Sequence, residues 1–113
     1  MSETNSASLY ELHAEMCKVF TSPKRLELLN LLRKKELSVG ELTELAGIPQ
    51  SGVSQHLAIL KGQDIVRARR AGSRIYYSLS DKRISSAFDI IRGILLDKLN
   101  RTASLSRVIR KSR

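Results

Sequence analysis

Three residues near the middle of a strongly basic chain, Ser51, Ser54 and Gln55, share an uncharged hydrogen-bonding chemistry. Each is uncharged and can both donate and accept hydrogen bonds. In "PQSGVSQHLAIL" they fall with Ala58 on one side of a helix at 100° per residue, opposite Val53, Leu57 and Leu60. A Gln amide on such a face can pair in bidentate fashion with adenine. Ser is short and adaptable, and Gly52 and Ala58 permit close approach. A row of Lys or Arg there would favour phosphates and carry little sequence information. Taken alone, the same face would also serve as a solvated Ser/Gln surface.

A second group follows at once. After Lys61 the arginines Arg67, Arg69, Arg70 and Arg74 surround "AGS", which contains Ser73. The period there is two. Val66 and Ala68 alternate with Arg67 and Arg69, and Ile75, Tyr77 and Leu79 alternate with Arg74, Tyr76 and Ser78. This is the pattern of a β-hairpin with a Gly-containing loop, placing its cations to reach phosphate or a minor groove. Charge is divided accordingly. Residues 1–60 hold 6 Lys/Arg against 7 Asp/Glu, whereas residues 61–113 hold 14 against 4, within a net charge of +9. So basic a second half suggests a polyanionic partner, most simply nucleic acid.

The third group is His13 and Cys17, four apart on one helical face with Tyr10. It admits three readings: a metal site with four soft ligands across a dimer, a thiol sensor or intersubunit bridge, or a cysteine that is simply a small buried hydrophobe.

The elements that must position these groups are legible in outline. A chain of 113 residues with 42% apolar content is expected to form one domain with a small core. We expect a polar N-terminus over 1–8, a folded domain over 9–100 and a basic tail over 101–113. Leu9, Leu12, Met16, Val19 and Phe20 recur at helical spacing. Ser22 and Pro23 then restart a helix as N-cap and first-turn residue, with Leu26, Leu28, Leu29, Leu31 and Leu32 forming a wide apolar face. Ser38 and Glu41 have the spacing of a capping box, and Gly47 is a left-handed helix stop. From Asp81 to about Asn100, Ile84, Phe88, Ile91, Leu95 and Leu99 restore the helical period, and Ile90, Ile94 and Leu96 widen it. That face is too apolar to be left in water, so dimerisation through the outer helices is expected, with Leu12, Met16, Ile84, Phe88, Ile91 and Leu95 at the interface. Leu105, Val108 and Ile109 can extend a helix into the tail, and a disordered basic arm is the equal alternative.

No apolar run approaches 20 residues, and the N-terminus lacks a signal segment, so a cytoplasmic protein without a membrane span is expected. One cysteine excludes an intrachain disulfide framework. There is no nucleophile–base–acid arrangement and no phosphate-binding glycine loop, which argues against an enzyme.

A short helix, a tight turn, an amphipathic second helix and a hairpin make a winged helix-turn-helix within a mainly α (α+β) fold. "SPKRLELLNLL", "LSVGELTELAGIPQSGVSQHLAILK" and "IVRARRAGSRIYYSL" resemble the ArsR/SmtB winged-helix transcriptional regulators. The resemblance runs from roughly Leu9 to Leu99. It implies a homodimer whose first and last helices form the interface. It also implies repression at an operator of two-fold symmetry, relieved by a metal or another inducer. It would turn Gln50, Ser51, Ser54 and Gln55 to bases, with His56 in a packing or capping role. Two metal sites common in the family are not matched. Ser38 and Gly40 stand where one site has cysteines, and neither supplies a thiolate. The last helix has Asp81, Asp89 and Asp97 but no His, with Lys82 and Arg83 at ligand positions. No cofactor is therefore assigned; His13 and Cys17 remain as a possible sensor. The rival readings are a winged helix that binds nucleic acid without sequence preference, or binds RNA, and one that docks proteins. Tyr76 is the single aromatic on the outer hairpin face, which disfavours base stacking on RNA.

Overall fold

The computed structural model describes residues 6–102. By its internal contacts the chain divides into two units, 1–81 and 82–113. The first contains α1 (Ser6–Lys18), α2 (Pro23–Leu31), β1 (Leu37–Ser38), α3 (Val39–Ala46), α4 (Gln50–Gly62), β2 (Val66–Ala71) and β3 (Arg74–Leu79); the second contains α5 (Arg83–Asn100).

Local chemistry sets most boundaries in the first unit. Ser22 is extended, and its hydroxyl accepts from the Arg25 N–H at 3.3 Å, so α2 begins where a capping side chain and Pro23 coincide. Arg25 also donates through Nε to the Val19 carbonyl at 3.0 Å, occupying an acceptor just beyond the end of α1. Of the expected α2 face, Leu28, Leu29 and Leu32 are buried. Leu26 and Leu31 are only half-buried, so the buried stripe is narrower than the leucine content suggested.

α3 carries the full capping box. The Ser38 hydroxyl accepts from the Glu41 N–H at 3.1 Å, and the Ser38 N–H donates to the Glu41 carboxylate at 2.9 Å. α3 stops at Gly47, whose φ of 68° is left-handed. α4 ends differently. Asp64 takes the left-handed position with a φ of 59°, the one described non-glycine residue with positive φ. Its N–H reaches the Lys61 carbonyl at 2.9 Å, and the next N–H, of Ile65, reaches the Leu60 carbonyl at 2.9 Å. The Ser80 hydroxyl donates to the carbonyls of Asp64 and Ile65, tying this turn to the segment after β3.

The hairpin forms as expected, with Ala71 opposite Arg74 and a two-residue loop of Gly72 and Ser73. Gly72 has a φ of 66°, which a tight hairpin loop needs at that position. Two features differ from expectation. The sheet has three strands in the order β1-β3-β2, because Leu37 and Ser38 pair antiparallel with Tyr77 and Tyr76. In β2 only Val66 is buried, and Ala68 is exposed although it shares that face. The alternation defines which way a side chain points; the core reaches only the base of the hairpin.

That core is formed by Leu28, Leu29, Leu42, Val53, Leu57, Leu60, Ile65 and Val66. α4 supplies three of them, which fixes its rotation about its own axis. In the second unit, α5 begins at Arg83 rather than Asp81 and exposes Ile90, Ile91, Ile94, Leu95 and Leu96. Leu105, Val108, Ile109 and most of the basic tail lie outside the described residues, as do residues 1–5.

Candidate nucleic-acid interface

Burial of Val53, Leu57 and Leu60, each fully removed from solvent, turns the opposite side of α4 outward. Gln50, Ser51, Ser54, Gln55 and Ala58 are all exposed. The helix starts at Gln50, with Pro49 at the N-cap and no side-chain capping bond. Its first-turn N–H groups, Gln50 to Gly52, therefore have no carbonyl one turn back within the helix. Gln50 and Ser51 sit at the helix end that carries partial positive charge, and Ser54 and Gln55 lie one turn further along.

The pleat sorts the hairpin arginines onto two faces. Register places Arg69 opposite Tyr76, Arg67 opposite Ser78 and Ala71 opposite Arg74, so Arg67, Arg69, Arg74 and Tyr76 share one face. Arg70 stands opposite Ile75 and points to the other face, which lower down carries the buried Val66. Lys61 and Ser73 are exposed at the end of α4 and in the loop. A cleft of about 620 Å³ lies between the starts of α3 and α4 and the hairpin tip; Gln50, Glu44, Ser73, Arg74 and Ile75 are among its lining residues.

Arg69 is not a free cation. It donates to Glu36 through both Nε, at 3.1 Å, and Nη2. Its guanidinium carbon lies 5.2 Å from the centre of the Tyr76 ring. The hydrogen bond from Arg69 holds the Glu36 carboxyl below its ordinary range. Sequence reading missed Glu36 because it missed β1. Once Ser38 is opposite Tyr76, alternation puts Glu36 on the same face as Tyr76 and Arg69. Arg67, Arg70 and Arg74 have no carboxylate partner among the described residues.

His56, expected to pack or cap, is half-buried beside the core stripe. Its Nδ1 is buried without a hydrogen-bond partner among the described residues. Burial, with the nearby Arg25 charge second, lowers its pKa from the ordinary value of 6.5.

Ser38 and Gly40 are engaged in other roles. The Ser38 side chain is buried and committed to the α3 cap, and Gly40 lies in the first turn of α3. Among the described residues no group of three or more His, Cys, Asp or Glu side chains is placed to hold a metal. His13 and Cys17 are both exposed on α1 of the single chain, so Cys17 is not part of this chain's own core. Leu12, Met16, Ile91 and Leu95 are exposed apolar side chains, whereas Ile84 and Phe88 are half-buried. No described helix is long and apolar enough to cross a membrane.

A helix-turn-helix whose second helix shows an uncharged polar face, followed directly by a basic hairpin, defines a winged-helix protein of the nucleic-acid-binding class. Residues 22–68 match the family model described as bacterial regulatory protein, arsR family. The nodulation protein NolR of Rhizobium meliloti is 40% identical over 74 residues, covering 66% of this chain and 61% of NolR. The HTH-type transcriptional regulator Rv0081 of Mycobacterium tuberculosis is 36% identical over 91 residues, covering 80% of each chain. The Rv0081 crystal structure aligns with a TM-score of 0.77 at 34% identity, over 84% of this chain and 96% of that one. The homodimeric winged helix-turn-helix DNA-binding domain of Mb0332 from Mycobacterium bovis aligns with a TM-score of 0.78 at 26% identity, over 89% and 95% of the two chains. The chain belongs to the arsR family of bacterial regulatory proteins.

Proposed function

We propose that the protein is a homodimeric, sequence-specific DNA-binding repressor of transcription that acts in the cytoplasm on an operator of two-fold symmetry. The observation that carries this reading is the outward face of α4: Gln50, Ser51, Ser54 and Gln55 are exposed and uncharged beside a basic hairpin. Those four residues read base edges in the major groove. Lys61, Arg67, Arg70, Ser73 and Arg74 hold the sugar–phosphate backbone. The exposed apolar side chains of α1 and α5 supply the dimer contact. Family membership and the homodimeric state of the Mb0332 domain support the same assembly.

Release by an inducer is part of the proposal, but not through thiolate chemistry at Ser38 and Gly40, whose positions offer none. Exposed Cys17 is the thiol that an oxidant or sulfur species would reach. If Cys17→Ser leaves every inducer response intact, that route is eliminated.

Nuclease footprinting tests the central reading against a winged helix that binds any duplex. A specific dimer protects two half-sites separated by one helical turn, about 34 Å, or a multiple of it. Equal affinity for unrelated duplexes at matched salt would reject sequence specificity in favour of general nucleic-acid binding.

A further inference from the structure

The face of the sheet that carries Arg67, Arg69 and Arg74 also carries a carboxylate. Arg69 lies on β2, at one edge of the three-stranded sheet, and Glu36 immediately precedes β1, at the other. To join them, the Arg69 side chain crosses the middle strand over the Tyr76 ring, 5.2 Å from its centre. There it meets Glu36 with two parallel donors, Nε to Oε2 at 3.1 Å and Nη2 to Oε1. This two-point geometry is the one a guanidinium uses on phosphate. The carboxylate thus occupies the Nε/Nη2 edge of the guanidinium and offsets its charge, leaving a DNA phosphate only the Nη1 side unless it displaces Glu36. Arg67 and Arg74, on the same face, have no such partner among the described residues.

We propose that Glu36 is an internal competitor for DNA phosphate: it withdraws Arg69 from the phosphate-binding set of the wing and so limits affinity for duplexes of any sequence. The arrangement is selective, since Tyr76 and Glu36 together hold one arginine while its neighbours stay available. Both partners are accessible, with side chains 56% and 38% exposed for Arg69 and Glu36, so the competition takes place where backbone phosphates can reach. The inference rests on the DNA-binding reading above.

The test is a salt titration of binding to a random-sequence duplex by the full chain, comparing wild type, E36Q, R69A and E36Q/R69A. Each phosphate contact adds about 0.9 to the slope of log K against log salt. E36Q is expected to steepen the slope by about that amount and to raise low-salt affinity several-fold, with unchanged thermal unfolding. In the R69A background the same substitution should leave the slope unchanged, because no arginine is there to release. A gain from E36Q that is equal in both backgrounds would reduce Glu36 to simple charge repulsion and overturn the inference. So would a loss of affinity in a folded E36Q protein, which would make the pair a brace that binding needs. Wild type that binds no duplex would overturn the DNA reading itself, whereas wild-type binding indifferent to E36Q would overturn only the role of Glu36.

Discussion

At the scale of single residues, Gln55 and His56 are sequence neighbours in opposite surroundings. Gln55 is exposed, and His56 leans on the core with a buried Nδ1 that has no hydrogen-bond partner among the described residues. If Gln55 reads a base edge, Gln55→Ala should reduce discrimination against altered operators by about 1–3 kcal/mol and leave random-duplex binding nearly unchanged. Competition titrations would measure this, and equal losses on all sequences would remove Gln55 from the reading set. His56 gives a stability prediction. Its pKa is held below 6.5 by burial and by Arg25, so the folded protein resists a proton that the unfolded chain accepts. The unfolded state then binds more protons as pH falls through 6.5, and stability drops until the lower folded pKa is passed. Urea midpoints at about pH 7.5 and about pH 5.5 should therefore differ more for wild type than for His56→Gln. The same pH dependence in both proteins would show that His56 is not the group responsible. Gln55 was legible from helical spacing alone. The His56–Arg25 proximity was not, because it joins two helices whose packing no local pattern encodes.

At the scale of elements, chain reversals decide what the sequence discloses. Ser38–Glu41 and Gly47 bound α3 as their types demand, since a capping hydroxyl and a left-handed glycine each solve a local hydrogen-bonding problem. Ser38→Ala should cost about 0.5–2 kcal/mol in chemical denaturation. A smaller loss would mean that β1 pairing, rather than the cap, holds the start of α3. β1 itself escaped sequence reading because two residues cannot show a period, and their strand identity comes from pairing with β3. The end of α4 was also opaque. Asp64 adopts a backbone conformation usually left to glycine, and its carboxylate sits at the negative end of the helix. Asp64→Gly removes both penalties while keeping the Asp64 carbonyl that accepts from Ser80. It should stabilise the fold by about 1 kcal/mol despite the extra entropy of glycine when unfolded. An unchanged or lower melting temperature would show that the Asp64 side chain contributes something glycine cannot.

At the scale of the whole molecule, uneven charge and unpartnered apolar surface point to the same assembly. Leu9, Leu12 and Met16 on α1 are exposed, and so are Ile90, Ile91, Ile94, Leu95 and Leu96 on α5. Two such stripes exceed the scattered apolar residues an ordinary monomer surface tolerates. A two-fold dimer buries the same patch from each copy and pairs two α4 helices for a two-fold operator. The structure narrows the α5 stripe read from the sequence, since Ile84 and Phe88 are half-buried and Leu99 is buried. The double substitution Ile91→Glu with Leu95→Glu places like charges one helical turn apart on that stripe. It should give a folded monomer by sedimentation at micromolar concentration, with helical content retained. Its operator footprint should weaken far more than its random-duplex binding, because each copy keeps its arginines while the paired register of two α4 helices is lost. A variant that stays dimeric would move the interface away from the middle of α5. A monomeric variant with an intact two-fold footprint would mean that two copies meet only on DNA, with the operator supplying the symmetry.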